Sequence, residues 1–420
     1  MSSSQHNPVP SGRRSHRWLG EQLDLFHFPA HSLGMASWHP RGVVVYDALA
    51  AYGRELNARY GYQEVRSPLV CDRRLWERSG HQEKFADRMF QLSVDGRPAA
   101  LKPMNCPGHC DLFALRPRSY RELPLRMAEL GHVHRLEQPG ELNGLLRARS
   151  FVIDDGHIFC APEEVAGELI ACLQMAQEVY LLFGLALAAE LSLRPEERLG
   201  DDRLWDRAEA DLREALREAR LSFEERPGEG AFYGPKVDLH ISDALGRSWQ
   251  MGSVQLDFQL PLRFDLRYVG PAGNSQGPAG NPYRPVLVHR ALFGSYERFI
   301  GILVEHFDGR LPLWLAPEAV RVLPVGADQA GYAKEAAARL ADAGVRSAVV
   351  DAGPLDGRIR EAHRLRIPLI AIVGPREIAA EEIVLRRHGG GNQAVKPLHE
   401  AVAMLGDEVA RRRSHADVAG

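Results

Sequence analysis

The sequence predicts an α+β chain in two parts: a larger part that mixes strands with long helices, and a small α/β domain behind it. Three observations carry this. Residues 123–137 and 147–160 read as strands joined by a Pro- and Gly-bearing loop, QPGELNG, which makes an antiparallel hairpin with a long tip. Strand-like runs recur at Phe232–Ile241, Arg247–Phe258 and Pro285–His289. After Leu315-Ala-Pro317 strands and helices alternate regularly over about 100 residues, which implies a mostly parallel sheet.

Taken in order, residues 1–16 are polar and read as a disordered tail, so the larger domain covers 17–316 and the smaller one 317–420. Val45, Leu49, Ala50 and Leu56 recur at helical spacing and predict a helix over Gly42–Tyr60. The run Tyr62–Val70 reads as a strand, and Pro68 inside it argues for an edge or interface position. Ala161–Ala188 reads as one apolar helix, and Arg203–Arg220 as a second, opened by Asp201 and Asp202. GPAGNSQGPAGN (270–281) is a flexible loop by composition, and Ser295–Phe307 follows as a helix. In the smaller domain, strands are expected at Val320–Val325, Arg346–Val350, Leu369–Val373 and Ile383–Leu385. Helices are expected at Gly331–Ala343, Leu355–Arg366 and Leu398–Arg413.

A net charge of −3 over 420 residues excludes a polycation, so any nucleic-acid contact must come from a local basic surface. Five cysteines are too few for a disulfide scaffold and point to a reducing compartment. The N-terminus lacks the apolar core of a secretory signal, and the apolar stretch Val179–Ala189 is too short to span a bilayer. The expectation is a cytoplasmic protein without membrane contact.

The odd positions of the second hairpin strand share one face: Arg147, Arg149, Phe151, Ile153, Asp155 and His157. That order of cations, ring, apolar residue, carboxylate and imidazole suits a ligand with a phosphate end, a flat ring and a polar end. Arg135 on the neighbouring strand could join the cations in clamping phosphate oxygens. No GxxxxGK[ST] loop and no GxGxxG after a strand occur, so neither a P-loop nor a dinucleotide fingerprint holds the nucleotide. Metal ligands have a large pool: Cys106, His109, Cys110, His132, His134, His157, Cys160 and His289. The CPGHC cluster has no second half at finger spacing, and His157 and Cys160 differ in strand parity. Spacing singles out no trio. Tyr233, Lys236, Gln250 and Gln255 are candidates for a polar pocket or ordinary turn and edge residues. Arg298, beside an apolar helix face, calls for a carboxylate or phosphate partner. Arg358, Arg360, Arg364, Arg366, Arg386 and Arg387 form either a local RNA surface or a solvated face.

Met104-Asn-Cys-Pro-Gly-His109, Arg126-Met-Ala-Glu129, Arg135-x-Glu137, Asp154-Asp-x-His-Ile-Phe-Cys160, Gly228–Lys236, Val254-Gln-Leu-Asp-Phe258 and His289–Gly301 together resemble the threonyl-tRNA synthetase family. The resemblance runs from about residue 17 to about 400 and includes the three class II synthetase motifs in order. It implies a class II catalytic domain, an antiparallel sheet flanked by helices, in a homodimer, followed by an anticodon-binding α/β domain. It implies one Zn²⁺ per chain on Cys106, His157 and His289, and Mg²⁺ with ATP. Arg135, Glu137 and Arg298 are the implied catalytic residues. Arg147, Phe151 and Gln250 join them at ATP, while Met104, Asp155, Tyr233, Gln255 and Ser295 take threonine. Glu377 and Arg386 are the implied anticodon contacts, and tRNA(Thr) is the implied partner. A non-catalytic RNA-binding regulator would be expected to have lost Arg135, Arg298 or a zinc ligand, and all are present. A ligase serving another acceptor would have no use for Glu377 and Arg386.

The chain departs from the family in four places. Ile153 stands where many bacterial members have Gln, Met251 where Cys is common, Leu136 where a polar residue is frequent, and Pro354 where a Lys often faces the anticodon. Most bacterial relatives also carry two more domains before the catalytic one, including a serine-editing domain, whereas this sequence begins almost at the core. Serine lacks only a methyl relative to threonine, worth roughly 1–3 kcal/mol in a pocket. The chain is therefore expected to make some seryl-tRNA and to depend on a separate editing protein; supplying serine, ATP and tRNA without seryl-tRNA ever forming would overturn this. The altered pocket further predicts a specialised copy less sensitive to an inhibitor of the usual enzyme. Equal inhibition of this protein and a full-length relative in charging assays would remove that reading.

Overall fold

Side-chain alternation along one strand decides how the larger domain is layered. In the computed structural model, which describes residues 15–242, 246–274, 280, 282–389 and 393–412, eight strands form one sheet. In chain order they are β1 (Gln63–Glu64), β2 (Leu125–His134), β3 (Ser150–Cys160), β4 (Leu187–Ser192), β5 (Phe223–Arg226), β6 (Lys236–Ser242), β7 (Ser248–Asp257) and β8 (Val286–Ser295). Their order across the sheet is β5-β4-β6-β7-β8-β3-β2-β1. All neighbours are antiparallel except the two edge pairs, β5 with β4 and β1 with β2. The expected hairpin is β2–β3, with Val133 opposite Phe151 and Met127 opposite His157.

On β3 the even positions Val152, Ile158 and Cys160 enter the main core. That core is shared with α2 (Pro40–Arg59), α4 (Val165–Leu182), α5 (Asp202–Glu218) and α6 (Tyr296–His306). α1 (His16–Gln22) lies before α2, and α3 (Cys106–Ala114) lies between them and the hairpin. Pro at the first turn and residues such as Val45, Leu49 and Leu56 on one side account for α2. Asp201 caps α5 by accepting from the Leu204 N–H at 3.0 Å.

Several expectations change. Most of the tail expected over residues 1–16 lies outside the described residues, but Ser15 and His16 are structured: Ser15 caps α1, and His16 is buried. The Tyr62–Val70 strand is broken. Only Gln63 and Glu64 pair with the sheet, because the Ser67 N–H and hydroxyl both donate to Glu129, at 2.9 and 2.8 Å, and Pro68 has no N–H. Val70–Asp72 joins a separate small sheet with Gln91–Val94 and Arg97–Leu101. The apolar run 161–188 is two elements. Gly184, at φ +66°, stops the helix, and the remaining apolar residues continue as β4. α4 is by length and composition apolar enough to cross a membrane, but half of it is buried within the protein. Of the loop expected over 270–281, residues 275–279 and 281 lie outside the described residues, and Pro271–Gly273 forms a 3₁₀ turn.

In the smaller domain β9 (Val320–Pro324), β10 (Ser347–Val349), β11 (Leu369–Val373), β12 (Glu382–Arg387) and β13 (Ala394–Pro397) lie in the order β10-β9-β11-β12-β13. The first three strands pair in parallel, and β12 runs against them, so its pairings with β11 and β13 are both antiparallel and the sheet is mixed rather than mostly parallel. Helices α7 (Ala330–Asp342), α8 (Leu355–Arg364), α9 (Pro375–Ala380) and α10 (Leu398–Ala410) connect them. The arginine cluster around α8 does not form one RNA-facing surface. Arg358 is buried and donates to the Pro324 and Val350 carbonyls, both at 2.8 Å. Arg364 pairs with Glu361 and donates to Gln22 O, and Arg366 pairs with Asp308. These last two contacts tie α8 to the larger domain.

One buried ion pair locks the sheet to α2. Arg290 on β8 donates to Asp154 on β3 at 2.9 Å, bonds Asn57 of α2, and lies 4.4 Å from the Tyr62 ring centroid. The other Asp154 oxygen accepts from the Leu292 N–H at 3.0 Å. Removing one partner of such a pair leaves an uncompensated charge, so Asp154→Ala should cost about 3–5 kcal/mol. Chemical unfolding of the wild type and this variant measures that loss, and a difference below about 1 kcal/mol would show the pair to be solvated.

Candidate active site and metal centre

The odd face of β3 opens on the other side of the sheet, and its C-terminal end meets β8. The register sets His157 directly opposite His289. Cys106 approaches from the first position of α3. The ligand atoms of Cys106, His157 and His289 lie within 4.8 Å of one another, and all three residues are largely withdrawn from solvent. His157 Nε2 and His289 Nδ1 are 2.9 Å apart. His289 Nε2 donates to Asp257, a fully buried carboxylate, at 2.9 Å, so its Nδ1 carries a lone pair aimed at the trio. Burial pushes the His157 pKa well below its ordinary value and keeps the imidazole neutral, as a metal ligand must be. Burial, followed by the charge of Asp155, pushes the Cys106 thiol well up, so the thiolate needs a cation to form there.

Of the other candidate ligands, Cys160 faces the core, with Sγ 3.8 Å from Val286 O, as its parity requires. His109 lies behind the trio, its ring edge-on to His157 at 4.6 Å between centroids and its Nε2 3.0 Å from Glu129. His134 Nε2 meets the Ser150 hydroxyl at 3.2 Å. One thiol and two imidazoles, with His157 Nε2 and His289 Nδ1 turned toward each other, fit a zinc ion with an open fourth position.

Next to the trio, Asp155 accepts from Asn105 Nδ2 at 2.8 Å, and burial raises its pKa. Tyr233 donates to Gln255 at 2.8 Å, and its ring lies 6.0 Å from that of His289. Met104 Sδ is 3.1 Å from His81 Nε2. A register shift between Leu239 and His240 brings Gln250 to the face shared by Ser253 and Gln255. There its amide bonds Asp238, which also holds Lys236.

A cleft of about 310 Å³ continues along β3. Arg135, Arg147 and Arg298 line it with Phe151, Ile153, Met251 and Ser295. Arg135 lies 5.3 Å from the Phe151 ring centroid. Arg298 is held by two carbonyls, Leu146 O and Gln250 O, each at 2.9 Å. Burial, then the nearby Arg135 and Arg147, lower its pKa. Three cations crowded in one enclosed space favour an anion between them. Glu137 also lines the cleft, is buried, and takes Arg88 and Arg147, at 2.7 and 3.0 Å, so it aims Arg147 from within the cleft wall. Arg149 departs from the expected ligand face: β3 begins only at Ser150, and Arg149 donates to Glu137 O at 2.9 Å. Ser295 caps α6 by accepting from the Arg298 N–H at 3.1 Å. Glu297, the next acid, is buried and accepts from the Val152 N–H at 2.9 Å; burial raises its pKa to about 7.

Remote from this site, Glu377 accepts from the Gly374 N–H at 2.8 Å and closes its own helix, while Arg386 sits half-buried on β12 opposite Ile370. Pro354 precedes α8 as its cap, and Leu136 is pinned by its N–H to Arg88 O at 2.9 Å. Sequence reading missed Asn105, Asp257 and the network of Lys102, Ser67 and Glu129 under His109. Their roles come from long-range contacts that no spacing announces.

Residues 90–307 match the family of class II tRNA synthetase core domains (G, H, P, S and T), and residues 319–408 match the anticodon binding domain family. The threonine–tRNA ligase of Carboxydothermus hydrogenoformans is 43% identical over 402 residues, covering 96% of this chain and 62% of the relative. That of Dechloromonas aromatica is 46% identical over 406 residues, with the same two shares, 96% and 62%. The chain thus spans about 62% of the length of these curated relatives. Among solved structures, the RNA binding domain of threonyl-tRNA synthetase from Cryptosporidium parvum superposes with a TM-score of 0.89 at 36% identity, covering 94% of this chain and 98% of that one. Fold, domain order and identity over nearly the whole chain therefore agree that it belongs to the threonyl-tRNA synthetase family of class II aminoacyl-tRNA synthetases.

Proposed function

We propose that the protein is a threonine–tRNA ligase, activating threonine with ATP and transferring it to tRNA(Thr). The observation that carries the reading is that one strand face serves both sites: Phe151 and Ile153 of β3 line a cleft walled by three arginines, and His157 further along the same face joins a thiol–imidazole trio beside the Asp155 carboxylate. When bound by Cys106, His157 and His289, Zn²⁺ supplies a Lewis-acid position for the amino and hydroxyl groups of threonine. Asp155, oriented by Asn105, accepts the hydroxyl proton in a hydrogen bond. A site built to bond that hydroxyl rejects valine by about 10⁴–10⁵, whereas an apolar pocket manages only about 10². Met104, Tyr233, Gln255 and Ser295 complete the amino-acid pocket.

Threonine's carboxylate then attacks the α-phosphorus, and pyrophosphate leaves. Arg135 neutralises the α-phosphate, Arg298 the γ-phosphate and Arg147 the chain between them, with Mg²⁺ accompanying ATP and Phe151 stacking on adenine. Glu137 contributes by aiming Arg147, and Gln250 sits at the ribose margin. The tRNA's terminal ribose hydroxyl finally attacks the adenylate carbonyl, the acyl–phosphate bond breaks, and AMP leaves. Glu377 and Arg386 face the anticodon in the domain from 317 onward, behind a catalytic domain over 17–316. The working form is a cytoplasmic homodimer served by a separate editing protein.

The test is ATP–pyrophosphate exchange driven in turn by threonine, serine and valine, followed by charging of total tRNA. Threonine should dominate, with serine detectable and valine at background; exchange that valine supports as well as threonine would reject the reading. Metal analysis should find one zinc per chain in the wild type and none in Cys106→Ala. Asp257→Ala, which frees His289 to rotate, should weaken zinc binding by about 10–100-fold in chelator competition.

A further inference from the structure

His16 makes more contacts than its place in a polar N-terminal stretch suggests. It is 2% exposed. Its backbone N–H donates to Glu305 Oε1 at 2.9 Å, and its Nδ1 lies 2.7 Å from the same oxygen. On the far side of the ring, Nε2 accepts from the Leu145 N–H at 3.2 Å. A backbone N–H can only donate, so Nε2 bears the lone pair and Nδ1 the hydrogen. The ring is thus used at both nitrogens, each in one sense.

The loop it holds is shaped to receive it. Gly144 has φ +54°, and a Cβ there would lie 2.2 Å from His16 Nε2. Leu145 and Leu146 wall the arginine cleft, and Leu146 O accepts from Arg298 Nε at 2.9 Å. Glu305 lies seven residues, about two turns, beyond Arg298 on α6. His16 therefore bridges the far end of α6 to the loop that grips the guanidinium at its near end. None of its atoms lines the cleft.

We propose that His16 is a positioning residue for the nucleotide site, holding the Gly144–Leu146 loop so that Leu146 O fixes the Arg298 guanidinium. The inference rests on the cleft's being the ATP site. Two variants separate positioning from bulk stability. His16→Gln places an amide oxygen near Nε2 and retains an acceptor for Leu145. His16→Asn retains a donor near Nδ1 for Glu305 and loses that acceptor. Each forfeits one hydrogen bond, so both should lower the thermal midpoint similarly.

KM for ATP should nevertheless rise roughly 3–10-fold in His16→Asn and stay within about twofold in His16→Gln, with KM for threonine unchanged in both. Equilibrium binding of ATP should follow the same order. Equal ATP affinities in the two folded variants, or an Asn variant that binds ATP like the wild type, overturn the proposal. A wild type that binds ATP but shows no threonine-dependent exchange sinks the ligase reading alone, since the variants' ATP affinities still decide the role of His16. A wild type that does not bind ATP overturns both.

Discussion

A strand can show only every second side chain to each of its faces, and β3 needs both faces for different purposes. Its even residues must be apolar enough to enter the helical core, and Val152, Ile158 and Cys160 are. Its odd residues must serve a polar cleft, and Phe151, Ile153, Asp155 and His157 line it or the metal trio. A one-residue slip would bury the carboxylate and imidazole in the core and expose the apolar set. The antiparallel pairing of His157 with His289 depends on the same register, and so does the pairing of Met127 with His157 on the other side. Asp154 is the exception on the core face, and the full burial of Arg290 beside it is the compensating charge.

Charge is handled by enclosure rather than by exposure. The three arginines of the cleft are each restrained by neutral carbonyls or, for Arg147, by two carboxylates. Arg135 donates to Pro103 O, Arg298 to Leu146 O and Gln250 O, and Arg147 to Glu137 and Glu141. Backbone carbonyls orient a guanidinium without neutralising it, so Arg135 and Arg298 keep their full charge for an incoming anion. Their lowered pKa values have the same origin, burial, with like-charge crowding added for Arg298. Arg147 differs because Glu137 and Glu141 already meet it, which makes it the weaker attractor of the three.

Ile153 and Met251 both line this cleft. They add apolar surface between the arginine end and the carboxylate end of the site. Met251 also belongs to the register shift that brings Gln250 to the cleft side of β7. Gly294, at φ +68°, approaches Met251 O so closely that a Cβ would sit 2.1 Å away. The backbone here is tightly defined, so a change of side chain at 251 alters the lining without freeing the strand.

Local rules were enough for much of this protein. Apolar spacing marked α2, the acidic start at Asp201 and Asp202 marked α5, a period of two set out the faces of β3, and strand parity alone set His157 apart from Cys160. The alternation after Pro317 marked the second domain but not the reversal of β12, because strand direction depends on connections rather than on composition. The apolar run through Gly184 could not be divided in advance, since a buried helix and a buried strand have the same composition. Side chains from distant elements were legible only through the family resemblance. Spacing cannot bring Cys106, His157 and His289 within 4.8 Å of one another, and only the sheet register and the placement of α3 do so. His16 and Asp257 lay beyond either kind of reading, because each takes its role from partners that packing alone brings within hydrogen-bond reach.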